Sequence, residues 1–289
     1  MPKSIEKYDL IGRCDSSSLS LQLNYFFMPD IRFYKYHGAG NDFILIDNRA
    51  LMFDAKNVQL IEAMCHRRFG IGADGLMLLQ NSAKYAFSMR YFNSDGHEAT
   101  MCGNGGRCIV AFAEKMGLID KDKLFGFEAV DGRHEAICQT DYVRLRMVDV
   151  NGIEELDGAY YLNTGSPHYV SFHTQIDGLD VFSKGREVRY SDRFKPKGTN
   201  VNFVEIVGDG DIKVRTYERG VEDETWACGT GCVASVLTDY YVRGKKTNYQ
   251  VTVLGGELKV SFEPVSKGVF KNIWLDGPAK FVFEGYYSF

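Results

Sequence analysis

The chain has 289 residues, with 34 Lys plus Arg against 38 Asp plus Glu and a formal net charge of −4. That balance leaves no basic surplus to neutralise a phosphate backbone, so it speaks against a nucleic-acid partner and for a small molecule. Hydrophobic content of 45% is that of an ordinary globular protein, the length suits two compact units, and no apolar run reaches a membrane span of roughly 18 residues.

Residues 1–30 alternate charge with Ser-Leu pairs and lack an apolar signal core, so they read as an N-terminal extension without assigned function and the protein as cytoplasmic. Seven cysteines at irregular spacing do not make a disulfide framework and predict reduced thiols. From Ile31 the pattern becomes regular: a strand at 31–37, a Gly-rich turn at His37-Gly-Ala-Gly-Asn41, and an apolar run at 43–46. Helical spacing of Val58, Ile61 and Met64-Cys65 predicts a helix over 57–68, followed by strands at 76–79 and 85–92. An Ala-rich helix is predicted over 104–116, stopping at Gly117, and 124–149 alternates like two or three antiparallel strands.

A second unit begins near Asn151-Gly152 and repeats the theme. Strands lead through Gly198-Thr-Asn200 to a helix at 230–243, and further strands are predicted at 248–254, 257–263 and 271–275. The last run, 279–283, can pair with either unit as far as its own pattern goes. The fold class expected is therefore α/β in the α+β sense.

The chemistry sits in an internal repeat. Glu98-Ala-Thr-Met-Cys102-Gly-Asn-Gly aligns with Glu224-Thr-Trp-Ala-Cys228-Gly-Thr-Gly, superposing a Glu, a Cys and two glycines. Each cysteine should stand where the chain turns into a helix, where free N–H groups and the positive dipole end favour an anion and draw the thiol toward thiolate. The same N–H groups can bind a carboxylate. Inverting an α-carbon needs a base on one face, an acid on the other and stabilisation of the developing charge; two opposed turns supply all three without a cofactor.

Blander readings compete. A single Cys-Gly-x-Gly is usually a turn before a packed helix, and only its duplication brings the catalytic reading level. Zinc is disfavoured because Cys102 and Cys108 are separated by five residues, outside the usual two to four, so no metal site is expected. Cys65, Cys108, Cys138 and Cys232 are expected as small core hydrophobes, and Cys14 is uninformative.

These residues resemble the diaminopimelate epimerase family, in a match running from about Ile31 to Phe283. It includes Lys35-Tyr-His-Gly-Ala-Gly-Asn-Asp-Phe43, Phe92-Asn-Ser-Asp-Gly96, Cys102-Gly-Asn-Gly-Gly-Arg-Cys108, Gly165-Ser-Pro-His168, Asn200-Val-Asn-Phe203 and Glu218-Arg-Gly220 before Ala227-Cys-Gly-Thr-Gly231. The resemblance implies two pseudo-symmetric domains, each a curved, mostly antiparallel sheet around a central helix, with the site in the cleft between them. It divides the chain into 31–150 with 276–289 and 151–275. It also implies interconversion of LL- and meso-diaminopimelate, precursors of lysine and peptidoglycan, with no cofactor, and leaves a homodimer open.

Position by position, the resemblance makes Cys102 and Cys228 the acid–base pair, Cys102 facing the LL form. Gly103, Asn104, Gly229 and Thr230 offer helix-start N–H groups to the reacting carboxylate. Asn41, Asn93, Ser166, Asn200 and Arg219 match substrate-binding positions, with the Arg219 fork suited to the distal carboxylate and Glu218 to an ammonium. His168 and Glu218 are implied to adjust thiol ionisation. His37 reads as structural, and a turn role for the three asparagines is the structural alternative.

Three departures from the family pattern stand out: Gly75 where some members carry Gln, Ser166 in place of Asn, and a longer, more acidic segment at 220–227. Two other functions remain. A proline or hydroxyproline racemase would have no use for Arg219 and Glu218, and an amino-acid-binding module would need neither cysteine.

Overall fold

The computed structural model describes residues 30–288; the extension assigned to 1–30 lies, but for Asp30, outside the described residues, as does Cys14. The first half runs β1 (Ile31–Gly38), β2 (Asn41–Asp47), α1 (Val58–Cys65), β3 (Gly75–Gln80), β4 (Ser88–Asn93), β5 (Glu98–Ala99), α2 (Gly103–Lys115), β6 (Leu124–Ala129), β7 (Gly132–Cys138), β8 (Val143–Arg146) and β9 (Val150–Asn151). The second runs β10 (Glu154–Leu156), β11 (Ala159–Asn163), β12 (Pro167–His173), α3 (Val181–Arg189), β13 (Asn200–Gly208), β14 (Asp211–Glu218), β15 (Asp223–Thr225), α4 (Gly229–Arg243), β16 (Asn248–Val253), β17 (Gly256–Ser266), β18 (Val269–Gly277) and β19 (Lys280–Tyr287).

The pairing scheme is the same twice. β1–β2 and β11–β12 are antiparallel, β2–β3 and β12–β13 parallel, β3–β4 and β13–β14 antiparallel, and β4–β6 and β14–β16 parallel. Antiparallel β6–β7–β8 and β16–β17–β18 complete each half. The halves are joined where β18 pairs with β8, and β19 returns to pair with β1. The mixed sheet with a repeated half agrees with the fold class expected from the sequence.

In each half a buried helix packs on one face of the strands and a short amphipathic helix on the other. Tyr34, Tyr36, Phe43, Leu45, Met77 and Leu79 face α2, whereas Phe33, Ile44, Ile46, Leu76 and Leu78 face α1. Strands covered on both sides read as continuous apolar runs, which explains Phe43-Ile-Leu-Ile46. In the second half Val170, Val204 and Val214 face α4 while Val201, Phe203 and Tyr217 face the α3 side. Polar residues inside α4 are satisfied locally: the Ser235 and Thr238 hydroxyls donate to the carbonyls of Gly231 and Ala234 at 2.8 Å.

Two elements differ from the sequence expectation. α1 stops at Cys65 rather than 68, because His66 is extended and the Met64 carbonyl accepts from the amides of Ile71 and Gly72 at 2.9 and 3.1 Å. α3 is not foreshadowed, since only Val181 and Gly185 of its nine residues are buried and Gly is a poor helix former. Gly185 is there for contact: a Cβ on it would lie 2.3 Å from Cβ of Tyr217.

Candidate active site

Both cysteines of the repeat occupy the N-cap, with extended backbone (φ −99° at Cys102 and −114° at Cys228) before the first helical turn. The repeated glutamates explain how the chain is brought there. Glu98 on β5 receives both nitrogens of the Arg90 fork from β4 (2.7 and 2.8 Å), and Glu224 on β15 receives that of Arg215 from β14 (2.6 and 2.7 Å). Each bidentate pair clamps the hairpin that delivers a cysteine to its helix.

The two helix starts meet. A Cβ built on Gly103 would stand 3.7 Å from Cα of Gly229, and one on Gly229 would stand 3.6 Å from Cα of Gly103, with Leu275 beneath both. Glycine at both positions permits that approach. The contact is pinned by Asn104, whose Nδ2 donates to the carbonyl of Ala227 at 2.8 Å and to Oδ1 of Asn41 at 3.2 Å. Asn41 in turn donates to Asp74 at 2.5 Å.

At α2 the Gly105 amide donates to Sγ of Cys102 at 3.2 Å. At α4 the Cys228 thiol lies 3.6 Å from the Thr230 hydroxyl, which is 3.4 Å from Oγ of Ser166; that oxygen is 3.0 Å from Nε2 of His168. His168 is fully buried. The Asn202 amide fixes its tautomer: Oδ1 accepts from Thr216 at 3.0 Å, so Nδ2 faces Nδ1 of the imidazole, also at 3.0 Å, and Nε2 carries the proton toward Ser166. Burial pushes the imidazole down to about 3, so at neutral pH it is an uncharged donor.

Asn200 holds the far side. Its Nδ2 donates to Ser166 (3.0 Å) and to the Pro167 carbonyl (3.1 Å), while its Oδ1 accepts from the Arg219 amide at 2.8 Å. The Arg219 guanidinium donates to the Lys197 carbonyl at 3.3 Å. Asn93 ends β4, opposite Gly75 in the register, and is exposed. Of the predicted residues, Asn41 and Asn104 are bonded in one chain that ends on Ala227, and Cys228, Thr230, Ser166, His168, Asn200 and Arg219 in another, while Gly103 and Gly229 meet where the helix starts approach and Cys102 caps the first of them.

The thiols' ionisation departs from the sequence reading. Burial pushes Cys102 up to about 11 and Cys228 well above the ordinary thiol value; the negative Glu218 adds to both, and the amide of Gly105 or Gly231 opposes it. Desolvation outweighs the helix termini. Glu218 is itself raised by burial, against the Thr225 hydroxyl beside it. Alkylation of Cys102 in the free protein is thus expected to accelerate by about tenfold per pH unit from pH 7 to 10. Peptide mass spectrometry reads this directly; a plateau below pH 8 contradicts it.

Arg107 carried no role in the sequence reading, yet it is fully buried one turn inside α2 and donates to the Gly103 carbonyl (3.2 Å), Oδ1 of Asn104 (2.9 Å) and the Pro278 carbonyl (3.3 Å). The signal was an arginine amid an otherwise small and apolar helix start, since buried arginines are uncommon. Asn202 also went unassigned, although strand alternation puts it on the same face as Asn200. Cys65, Cys108, Cys138 and Cys232 are buried in the core, and among the described residues no cluster of three His, Cys, Asp or Glu is arranged to hold a metal.

The model of a family described as "Diaminopimelate epimerase" matches residues 33–148 and again 160–282. A diaminopimelate epimerase of Flavobacterium psychrophilum is 49% identical over 257 residues, covering 88% of this chain and 99% of that one. The chain belongs to the diaminopimelate epimerase family. Another relative, from Chlorobaculum tepidum, is 44% identical and covers 86% of this chain and 98% of its own. Among solved structures, a phenazine biosynthesis protein of Bacillus anthracis superposes with a TM-score of 0.71 at 15% identity, covering 90% of this chain and all of that one. A hydroxyproline epimerase of Agrobacterium vitis gives 0.64 at 15% identity, with coverage of 89% and 92%. At such identities the likeness shows a shared fold.

Proposed function

We propose that this diaminopimelate epimerase family member interconverts LL- and meso-diaminopimelate by a two-base reaction on Cys102 and Cys228 that requires no cofactor. The observation that carries the reading is the meeting of two cysteine-capped helix starts, one from each half, at Gly103 and Gly229. The substrate α-carboxylate binds the N–H groups of Gly103, Asn104, Gly229 and Thr230, which also stabilise the negative charge that spreads onto it as the Cα–H bond breaks. With the LL form, the Cys102 thiolate takes the α-proton while the Cys228 thiol delivers one to the opposite face. The reverse reaction exchanges the two roles.

Glu218, whose charge adds to the burial that keeps both thiols protonated, receives a substrate ammonium, which offsets that like-charge part. Arg219 pairs with the distal carboxylate. Asn93 and Ser166 contribute polar contacts, Asn41 acts through its bond to Asn104, and Asn200 fixes Ser166 and the Arg219 backbone. His168 acts on Cys228 through Ser166 and Thr230.

The domain limits are set at 31–150 with 276–289 and at 151–275, a division supported by the β19–β1 pairing. The reaction belongs to lysine and peptidoglycan precursor synthesis, and the cytoplasm is the setting proposed for it. Among the described residues no helix is long and apolar enough to cross a membrane.

The test is exchange of the α-hydrogen in deuterated water, with reduced protein, LL-diaminopimelate as substrate and proline as control. Exchange accompanied by formation of the meso form is expected with the first and none with the second. Exchange of proline alone would transfer the assignment to a proline-type racemase.

A further inference from the structure

Arg107 lies fully buried one turn inside α2, and the partners of its hydrogen bonds are all uncharged. Nη1 donates to the Gly103 carbonyl at 3.2 Å, Nη2 to Oδ1 of Asn104 at 2.9 Å and Nε to the Pro278 carbonyl at 3.3 Å. A cation in such surroundings costs folding free energy that hydrogen bonds to carbonyl dipoles only partly offset. Its cradle is nonetheless closely built. A Cβ on Gly277, at the end of β18, would stand 2.8 Å from Nε and 2.9 Å from Cζ, and one on Gly38, at the end of β1, would stand 3.3 Å from Nη2. Two strands far apart in the chain thus carry no side chain where the guanidinium lies.

The guanidinium sets the direction of a chain of amides. Arg107 can only donate, so Asn104 turns its oxygen toward it and its Nδ2 away. At the other end the Asp74 carboxylate, paired with Arg67 at 2.6 Å, accepts from Nδ2 of Asn41 at 2.5 Å, which leaves the Asn41 oxygen facing Asn104. A buried cation and a carboxylate therefore impose the same polarity from opposite ends. Nδ2 of Asn104 is left with one hydrogen for Asn41, at 3.2 Å, and one for the Ala227 carbonyl, at 2.8 Å. Ala227 precedes Cys228, so this last bond runs from the helix start of the first thiol to the segment that delivers the second. With the amide reversed, Oδ1 of Asn104 would face two oxygens, and the bond between the halves would become a repulsion.

We infer that Arg107 is a positioning residue for the reaction: by fixing which end of the Asn104 amide faces Ala227, it seats the Cys228 helix start against the Cys102 helix start. Its effect on the reacting groups runs through Asn104. The role presupposes the two-thiol reaction proposed above.

The experiment is steady-state epimerisation of LL-diaminopimelate by the full chain carrying Arg107→Met, Asn104→Ala or both, with melting curves alongside. Arg107→Met, which removes the charge and the donors, is expected to lower kcat by about one to two orders of magnitude and to leave KM within about threefold, as misplaced reacting groups would. Asn104→Ala should lose a similar amount, and the double variant should fall no more than about twofold below it, because residues that act as a unit do not add. A lowered melting temperature with kcat unchanged makes the arginine a stabiliser only and overturns the inference. Losses that multiply in the double variant overturn it too, as does a raised KM at constant kcat, the sign of a charge acting on the substrate. If Arg107→Met does not fold, Arg107→Lys takes its place. Keeping the charge but not the planar fork, it should lower kcat by about tenfold and show the same lack of additivity with Asn104→Ala, and the same outcomes decide. Wild-type protein that fails to epimerise diaminopimelate would refute the proposed function itself; every other result is a ratio to an active wild type.

Discussion

Cys102→Ala and Cys228→Ala are each expected to lower epimerisation by at least about three orders of magnitude, because each variant keeps only one of the two proton-transfer groups. Neither substitution should unfold the protein: Cys102→Ala gives up the one cap bond from the Gly105 amide, but the bonds from Asn104 to the Ala227 carbonyl and from Thr164 to the Thr230 carbonyl remain in both variants. Conversion followed by chiral chromatography, together with deuterium content at the α-carbon, separates the steps. A variant with one thiol can still remove the proton facing it, but it has nothing to deliver on the other side. Full isomerisation by either single variant contradicts the two-base mechanism.

Gly231→Ala is expected to reduce kcat by about two orders of magnitude without removing a reacting group, the scale of loss that a misplacement near 1 Å brings. Its methyl group would lie 2.3 Å from Oδ1 of Asn202 and 3.3 Å from Sγ of Cys228. Asn202 cannot swing aside cheaply, because Thr216, the Tyr169 carbonyl and His168 hold it at 3.0, 2.9 and 3.0 Å. The start of α4 must move instead, carrying Cys228 with it, and overpacking should cost roughly 1–3 kcal/mol of stability. Calorimetry and kcat on the same preparation test both parts; a kcat within threefold of wild type would mean that the seating of α4 is looser than these contacts require.

The sequence showed the parts of the site that repeat. Cys102 and Cys228 were legible because a short motif recurs with the same flanking Glu, and the resemblance supplied the contacts around them. Less visible was what each polar residue is bonded to. Asn104 spends its side chain on joining the halves, and Asn200 on holding Ser166 and the backbone of Arg219. Both arrangements depend on pairing between segments far apart in the chain, which periodicity does not encode. The ionisation of the thiols differs from the sequence expectation for a similar reason: a helix terminus is a local signal, whereas the burial that opposes it belongs to the assembled fold. α3 escaped because its inward face is reduced to Val181 and Gly185, too little apolar surface to leave a pattern.

That each half brings one cysteine to the meeting point of the helix starts has a consequence for how the enzyme would behave over successive cycles. In the two-base reaction proposed above, a turnover from LL to meso would end with the proton on Cys102 and the charge on Cys228, the arrangement suited to the molecule just released and not to the next one of the first kind. Under that reaction the protein would keep a memory of its last substrate. Under sustained one-way flux it would have to be reset by moving a proton between the sulfurs, and the Thr230 hydroxyl beside Cys228, with Ser166 behind it, lies where such a transfer would begin.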